Sequence, residues 1–326
     1  MKKFESYMLK TFEPNTKGRD FCIGDLHGNL DHLNKMLEGL SFDKTVDRMF
    51  SCGDLVDRGP NSFACLGLID PIENPWFFAG QANHENMMQL CTDYPSISSA
   101  WFRNGGMWAC EYINDIEKVA RDKSWIPADE SVRYAELVEM SKNLPFIQTV
   151  KLLDGKRAHI IHAEMPKLSL PLTDEMLEMP EVVEALINVV DYRGDPYIQW
   201  SREIFKYFVE RPYDTDRDKA KWLQACVSLA LHKTEREDLG VIISGHTPIV
   251  KPAWIGGLIN LDTGAYKDKP WAALSCMELN TGKFYQVYWN TTIDGQKQLT
   301  FCEVDPIRIK GETILAAARG ELETDN

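Results

Sequence analysis

Short apolar runs recur in the first third of the chain, each closed by a polar group. Phe21-Cys22-Ile23 leads into Gly24-Asp25-Leu26-His27-Gly28, and Met49-Phe50-Ser51-Cys52 into Gly53-Asp54-Leu55-Val56-Asp57-Arg58-Gly59. Trp76-Phe77-Phe78-Ala79 precedes Asn83-His84-Glu85. The polar groups are evenly spaced, with 29 residues from Asp25 to Asp54 and 29 from Asp54 to Asn83. That is about one strand–helix–strand step. It predicts three parallel strands whose carboxyl ends share one edge, where open α/β sheets place their sites. Between them Leu30, Leu33, Met36, Leu37 and Leu40 follow helical spacing. Gly59-Pro60-Asn61-Ser62 reads as a turn and cap before a helix with Phe63, Leu66 and Ile69.

Downstream the period changes. Glu85 to about Asn143 reads as helical, interrupted at Gly105-Gly106. Pro145 to Leu153 and Arg157 to His162 read as strands joined by the hairpin signal Asp154-Gly155. Residues 166–238 are charged and helical in pieces (Glu181 to Val190, Asp218 to Leu231), and are expected to lie outside the central sheet. Gly240 to Ser244 and Gly257 to Leu261 are again strands, followed by a hairpin of Ala272–Leu279 and Lys283–Trp289 around Asn280-Thr281-Gly282. The expected division is a lead-in at 1–17, a domain at 18–288 with helical insertions at about 86–143 and 166–240, and a C-terminal extension at 289–326. That extension is polar, with one helix-compatible piece, Glu312 to Arg319, and an acidic end expected to fray.

Composition narrows the classes. An apolar content of 44% and a charged content of 26% are ordinary for a globular protein. The net charge of −13 argues against unselective binding to nucleic acid or to an anionic membrane, while leaving room for a local cationic site. Eight cysteines without a CxxC pair read as reduced core thiols. No run approaches the roughly 20 apolar residues of a membrane span, and the N-terminus lacks the apolar core of a secretory signal. A cytoplasmic protein is expected.

Two hard cations about 3.5–4 Å apart need one bridging anion and two or three further ligands each. The strand-end residues supply such a set. Asp25 and His27, two positions apart, would reach one ion, and Asp54 would bridge. Asn83 would complete the second ion, with two imidazoles from later strand ends, His162 in Ile160-Ile161-His162-Ala163-Glu164 and His246 in Gly245-His246-Thr247-Pro248. A mixed nitrogen and oxygen set without thiolate suits Mn2+, with Fe or Zn2+ as alternatives, better than Ca2+. A structural zinc site would be closed and richer in cysteine.

These groups, with His162-Ala163-Glu164-Met165-Pro166 and Asp262-Thr263-Gly264-Ala265, resemble the signature of the phosphoprotein phosphatase family of metallophosphoesterases over roughly residues 18–288. Trp200-Ser201-Arg202 and Asn104-Gly105-Gly106 look most like the phage lambda-type branch of serine/threonine phosphatases. The resemblance implies an α/β (α+β) fold, a calcineurin-like β-sandwich of two mixed sheets flanked by helices. It also implies two divalent cations on Asp25, His27, Asp54, Asn83, His162 and His246. His84 becomes the general acid, oriented by Asp57; Arg58 and Arg202, with Asn83, contact the phosphate. Arginine offers a planar fork for phosphate oxygens, and imidazole donates protons near neutral pH. A metal-bridging water would attack phosphorus in line, with no phosphoenzyme. The expected substrate is a phosphoserine or phosphothreonine protein or a small phosphomonoester, with no nucleic-acid or membrane partner and no oligomeric state indicated. The alternatives are symmetrical dinucleoside tetraphosphate hydrolysis and a catalytically inactive phosphate-binding module. One departure stands out: the family's Arg-Gly before Asn-His-Glu is Gln81-Ala82 here. That implies either compensated drift or a changed phosphate site, with Arg193 a candidate replacement cation.

Overall fold

The computed structural model describes residues 8–94, 98–110, 112, 129–166, 172–205 and 239–309. The three evenly spaced runs form β2 (Asp20–Ile23), β3 (Arg48–Ser51) and β4 (Phe77–Ala79), paired in parallel as expected. Their sheet continues antiparallel through β10 (Ala273–Glu278), β11 (Lys283–Thr291) and β12 (Lys297–Val304). The second sheet has the order β1-β5-β6-β7-β9-β8-β13. Its strands are β1 (Leu9–Phe12), β5 (Ile147–Lys151), β6 (Arg157–Ile160), β7 (Val241–Ser244), β8 (Ala253–Ile255), β9 (Leu258–Asn260) and β13 (Ile307–Ile309). Both sheets mix parallel and antiparallel pairs, giving the expected sandwich.

Strand alternation explains the layering. Phe21, Ile23, Met49 and Phe77 point out of the first sheet towards α1 (Leu30–Gly39), α2 (Ser62–Leu66), α3 (Asn83–Asp93), α4 (Ser98–Arg103) and α5 (Asp129–Ser141). Their neighbours Cys22, Phe50 and Phe78 face inward, against Phe12, Val150, Ile160, Ile243 and Ile259 of the second sheet. On the far side of that sheet, Ile147, Ile161 and Ile242 pack with Val183 and Leu186 of α6 (Pro180–Ile187) and Ile198 of α7 (Tyr197–Trp200). Both faces of each sheet are covered, so the inner strands read as nearly continuous apolar runs.

Three expectations are corrected. Residues 9–12, placed in a lead-in, form β1 beside β5. Residues 297–309, placed in an extension beyond the sandwich, supply edge strands to both sheets: β12 pairs along β11, and β13 lies parallel to β8. They read as polar because most of β12 is half-exposed or exposed. What it does bury includes the Phe301 ring, seated over Gly39 of α1 where a side-chain carbon would lie 2.3 Å from it. The third concerns Asn61, which precedes α2 but makes no side-chain cap. The Ser62 hydroxyl instead accepts from the Asp57 N–H at 2.9 Å. The expected helices at 218–231 and 312–319 lie outside the described residues, as does most of the stretch between α4 and α5.

Candidate metal centre

Strands β2, β3, β4, β6 and β7 deliver Asp25 and His27, Asp54, Asn83, His162 and His246, all buried to 3% exposure or less. All six expected ligands therefore come to one place, at the shared strand edge of both sheets. Asp25 and His27 do so from a loop, because β2 ends at Ile23, so pleat alternation is not what aligns them. The backbone turns there instead. His27, Asp54, Asp57, Arg58 and His246 all take positive φ, from 44° to 73°, although none is glycine. Such residues cost of the order of 1–3 kcal/mol each and persist where surrounding structure imposes them. Crowding adds a second constraint. A side-chain carbon on Gly245 would lie 2.0 Å from Asp25 Oδ1.

Backbone carbonyls set the imidazole orientations. His27 Nδ1 donates to Val56 O at 2.8 Å, His162 Nδ1 to Cys52 O at 3.1 Å, and His246 Nε2 to Trp200 O at 3.2 Å. The opposite nitrogens therefore carry lone pairs inward. His27 Nε2 lies 3.4 Å from Asp54 Oδ2, while His162 Nε2 lies 3.5 Å from Asp54 Oδ1. The Asp54 carboxylate thus faces one imidazole with each oxygen. His162 Nε2 is also 2.7 Å from Asn83 Oδ1 and 3.1 Å from His246 Nδ1. Lone pairs converging at such distances repel unless a cation sits among them, so this donor set fits divalent metal ions. Asp54 with His162 and His246 forms one cluster able to hold an ion; Asp54 with His27 and His84 forms another.

The electrostatics agree. Burial lowers His27 and His246 well below the ordinary histidine range, and lowers His162 to about 4. Burial alone would raise Asp54, but His162, His84, His27 and Arg58 outweigh it and hold the carboxylate ionised. Asp25 is pushed up by burial and by the charges of Asp262 and Asp54. Burial also raises Asp262 to about 6, and its Oδ2 has no hydrogen-bond partner among the described residues. Three buried carboxylates this close together need positive charge.

His84 stands in the first turn of α3, with Nδ1 2.5 Å from Asp57 Oδ2 and Nε2 buried, 3.9 Å from Asp54 Oδ2 and without a hydrogen-bond partner among the described residues. Asp57 also accepts the indole N–H groups of Trp101 (2.8 Å) and Trp108 (2.7 Å). In the sequence both tryptophans look like apolar positions of the helical stretch after Glu85, with nothing local to tie them to Asp57. The intervening Gly105-Gly106 was the available signal, since Gly105 takes φ 112° against the Arg58 backbone. Two buried acids with no expected role prove to be supports. Glu85 accepts the N–H groups of Asp54 and Leu55. Glu164 accepts the Ser201 hydroxyl and the N–H groups of Glu203, Ile204 and Phe205, fixing the segment that carries Arg202.

Arg58 and Arg202 are exposed at the rim. The Arg58 guanidinium lies 4.4 Å from the Tyr266 ring centroid and donates to His27 Nε2 at 2.6 Å. The charge of Arg202 reaches His162 and His246. Gln81 points elsewhere: it is buried, exchanging hydrogen bonds with Gln89, which donates on to Ser141. The Ala82 methyl fits because Gly53, its neighbour across the loops, has no side chain to meet it. Arg193, the candidate replacement, pairs instead with Asp191 and Asp195.

A two-sheet sandwich with aspartate, asparagine and histidine donors on one strand edge defines the class of metal-dependent phosphoester hydrolases. The chain matches the calcineurin-like phosphoesterase family over residues 21–250 and belongs to it. It is 32% identical to a serine/threonine-protein phosphatase 1 of Salmonella typhimurium over 53% of this chain and 71% of that one. It is 28% identical to a symmetrical bis(5'-nucleosyl)-tetraphosphatase of Coxiella burnetii over 57% of this chain and 53% of that one. Among solved structures, a protein serine/threonine phosphatase from Saccharomyces cerevisiae aligns with a TM-score of 0.47 at 15% identity, over 92% of this chain and 84% of that one. No described helix is long and apolar enough to cross a membrane.

Proposed function

We propose that this hydrolase removes phosphate from phosphomonoesters, with phosphoserine and phosphothreonine in proteins as the leading substrates. The observation that carries the reading is Asp54, whose two oxygens face the His27 and His162 imidazoles, next to an acid–carboxylate pair, His84 and Asp57. Asp25, His27, Asp54, Asn83, His162 and His246 would hold two divalent cations, Mn2+ foremost. Bound there, the cations supply Lewis acidity and an activated water. Arg58 and Arg202 orient the phosphate from the rim by forked hydrogen bonds. His84, fixed through Nδ1 by Asp57, delivers a proton from Nε2 to the leaving oxygen. Its Nε2 could alternatively join His27 and Asp54 as a ligand. The Nδ1 bond to a buried carboxylate held by two indoles favours the acid role.

The Coxiella burnetii relative supports a second reading, cleavage of symmetrical dinucleoside tetraphosphates. Phosphate release from a phosphopeptide and from diadenosine tetraphosphate, with Mn2+ and after chelation, separates the two. Mn2+-dependent turnover of the phosphopeptide supports the first, and turnover confined to the dinucleotide supports the second. Tight phosphate binding without turnover of either would make the protein an inactive phosphate-binding module.

A further inference from the structure

Residues 261–272, between β9 and β10, close one side of the metal centre. Tyr266 is the wall: its ring meets the His27 ring edge-on at 4.7 Å and carries the Arg58 guanidinium. Lys267 follows, with Nζ 5.8 Å from the Tyr266 centroid and 5.4 Å from that of Trp271. Its position is built into the loop. The Lys267 N–H donates to Gly264 O at 2.8 Å, closing a turn. A side-chain carbon on Gly264 would lie 3.0 Å from Lys267 Cδ and 3.1 Å from Trp271 Cζ3, so the bare backbone seats both the lysine stem and the indole.

Two aromatic rings thus flank a half-buried lysine that makes no ion pair among the described residues. Burial lowers the Lys267 ammonium below the ordinary lysine range, and the charges of Arg58 and Arg202 lower it further, against the pull of Asp262. A third cation within the field of two others, and without an ion pair of its own among the described residues, is suited to bind an anion.

We propose that Lys267, seated between Tyr266 and Trp271, is a specificity residue that binds a second anionic group carried by the substrate beside its scissile phosphate. The inference rests on the phosphatase reading above. Arg58 and Lys267 share one ring as neighbour, which sets the reach to the second group. An extended peptide advances about 3.5 Å per residue, so an acidic side chain one or two residues from the phosphorylated one spans it. An adjacent phosphate of a polyphosphate chain does so too.

The test uses the Mn2+-loaded full chain and three substrates: a phosphopeptide with acidic flanks, the same peptide with alanine flanks, and diadenosine tetraphosphate. Wild-type enzyme is expected to favour the acidic peptide over the alanine one by about tenfold in kcat/KM, the scale of one charge-assisted contact. Lys267→Met, which keeps the stem on Gly264 and Trp271, should remove that preference, and Lys267→Arg should keep it. If the variant instead loses only diadenosine tetraphosphate turnover, the second group is a phosphate and the subsite stands. Unchanged substrate ratios in Lys267→Met would overturn the proposal. Absence of turnover in wild type would overturn the phosphatase reading alone. Calorimetric titration with phosphate and with pyrophosphate then decides the subsite. A pyrophosphate advantage that disappears in Lys267→Met supports it, and one that persists, or is absent from wild type, refutes it.

Discussion

Asp54 combines a left-handed backbone, a buried carboxylate and two facing imidazoles, so nearly every property of the site passes through single side chains. His246 contributes the clearest test. Its Nδ1 points at His162 Nε2 from 3.1 Å, and truncation removes one of the converging donors. His246→Ala is expected to bind Mn2+ at least tenfold more weakly while folding normally, measured by elemental analysis after dialysis and by far-UV circular dichroism. Full metal occupancy in the variant would refute its place as a ligand. For His84 the discriminating quantity is leaving-group dependence. His84→Asn should retain metal and lose about 10²–10⁴ in kcat on esters with poor leaving groups, and much less on p-nitrophenyl phosphate. Equal losses on both would reassign the residue to positioning.

Among the elements, the β4–α3 junction shows how a departure from the family's residues is absorbed. Gln81 turns under α3 to pair with Gln89, and Gln89 reaches Ser141 at the end of α5. An arginine introduced there would carry a charge into a buried amide pair rather than towards the phosphate. Gln81→Arg is therefore expected to destabilise the protein by about 3 kcal/mol or more, read from the urea midpoint, and to leave KM for small phosphomonoesters unaltered. A lower KM at unchanged stability would mean that the side chain does reach the site. The insertion helices act in the same manner at a distance. Trp101 and Trp108 hold Asp57 from 44 and 51 residues away, which makes α4 and the turn after it part of what fixes the Asp57 carboxylate.

At the scale of the whole molecule, residues 297–309 supply one edge strand to each sheet. Eight residue pairs join β12 to β11, and β13 caps β8 in the other sheet. A chain ending at Thr291 would expose the β11 ladder and the α1 face that Phe301 covers, creating an unprotected edge strand. Such a truncation is expected to aggregate or to melt at least 10 °C below the full chain, measured by differential scanning calorimetry. An unchanged, reversible melt would show that the edge strands add nothing to the sandwich.

The sequence by itself determined the parallel core of the first sheet and picked out the six side chains that the fold brings together at its edge. The strand–helix–strand step repeats at a length that places Asp25, Asp54 and Asn83 on one edge, so that part is written in local spacing, whereas His162 follows Asn83 by 79 residues and His246 follows His162 by 84. The hairpin at Asp154-Gly155 was legible for the same reason, and Gly155 takes φ 85° in it. Only the tertiary structure decided which distant groups support the site: the indoles on Asp57, Glu164 under the Arg202 segment, and the burial of Gln81 away from the rim. It also decided that β1, β12 and β13 complete the sheets, since a half-exposed edge strand need show little apolar alternation. Local pattern records the constraints a residue meets within a few positions. Contacts that join one sheet edge to a helix 50 residues away leave no period in the chain and exist only once it has closed on itself.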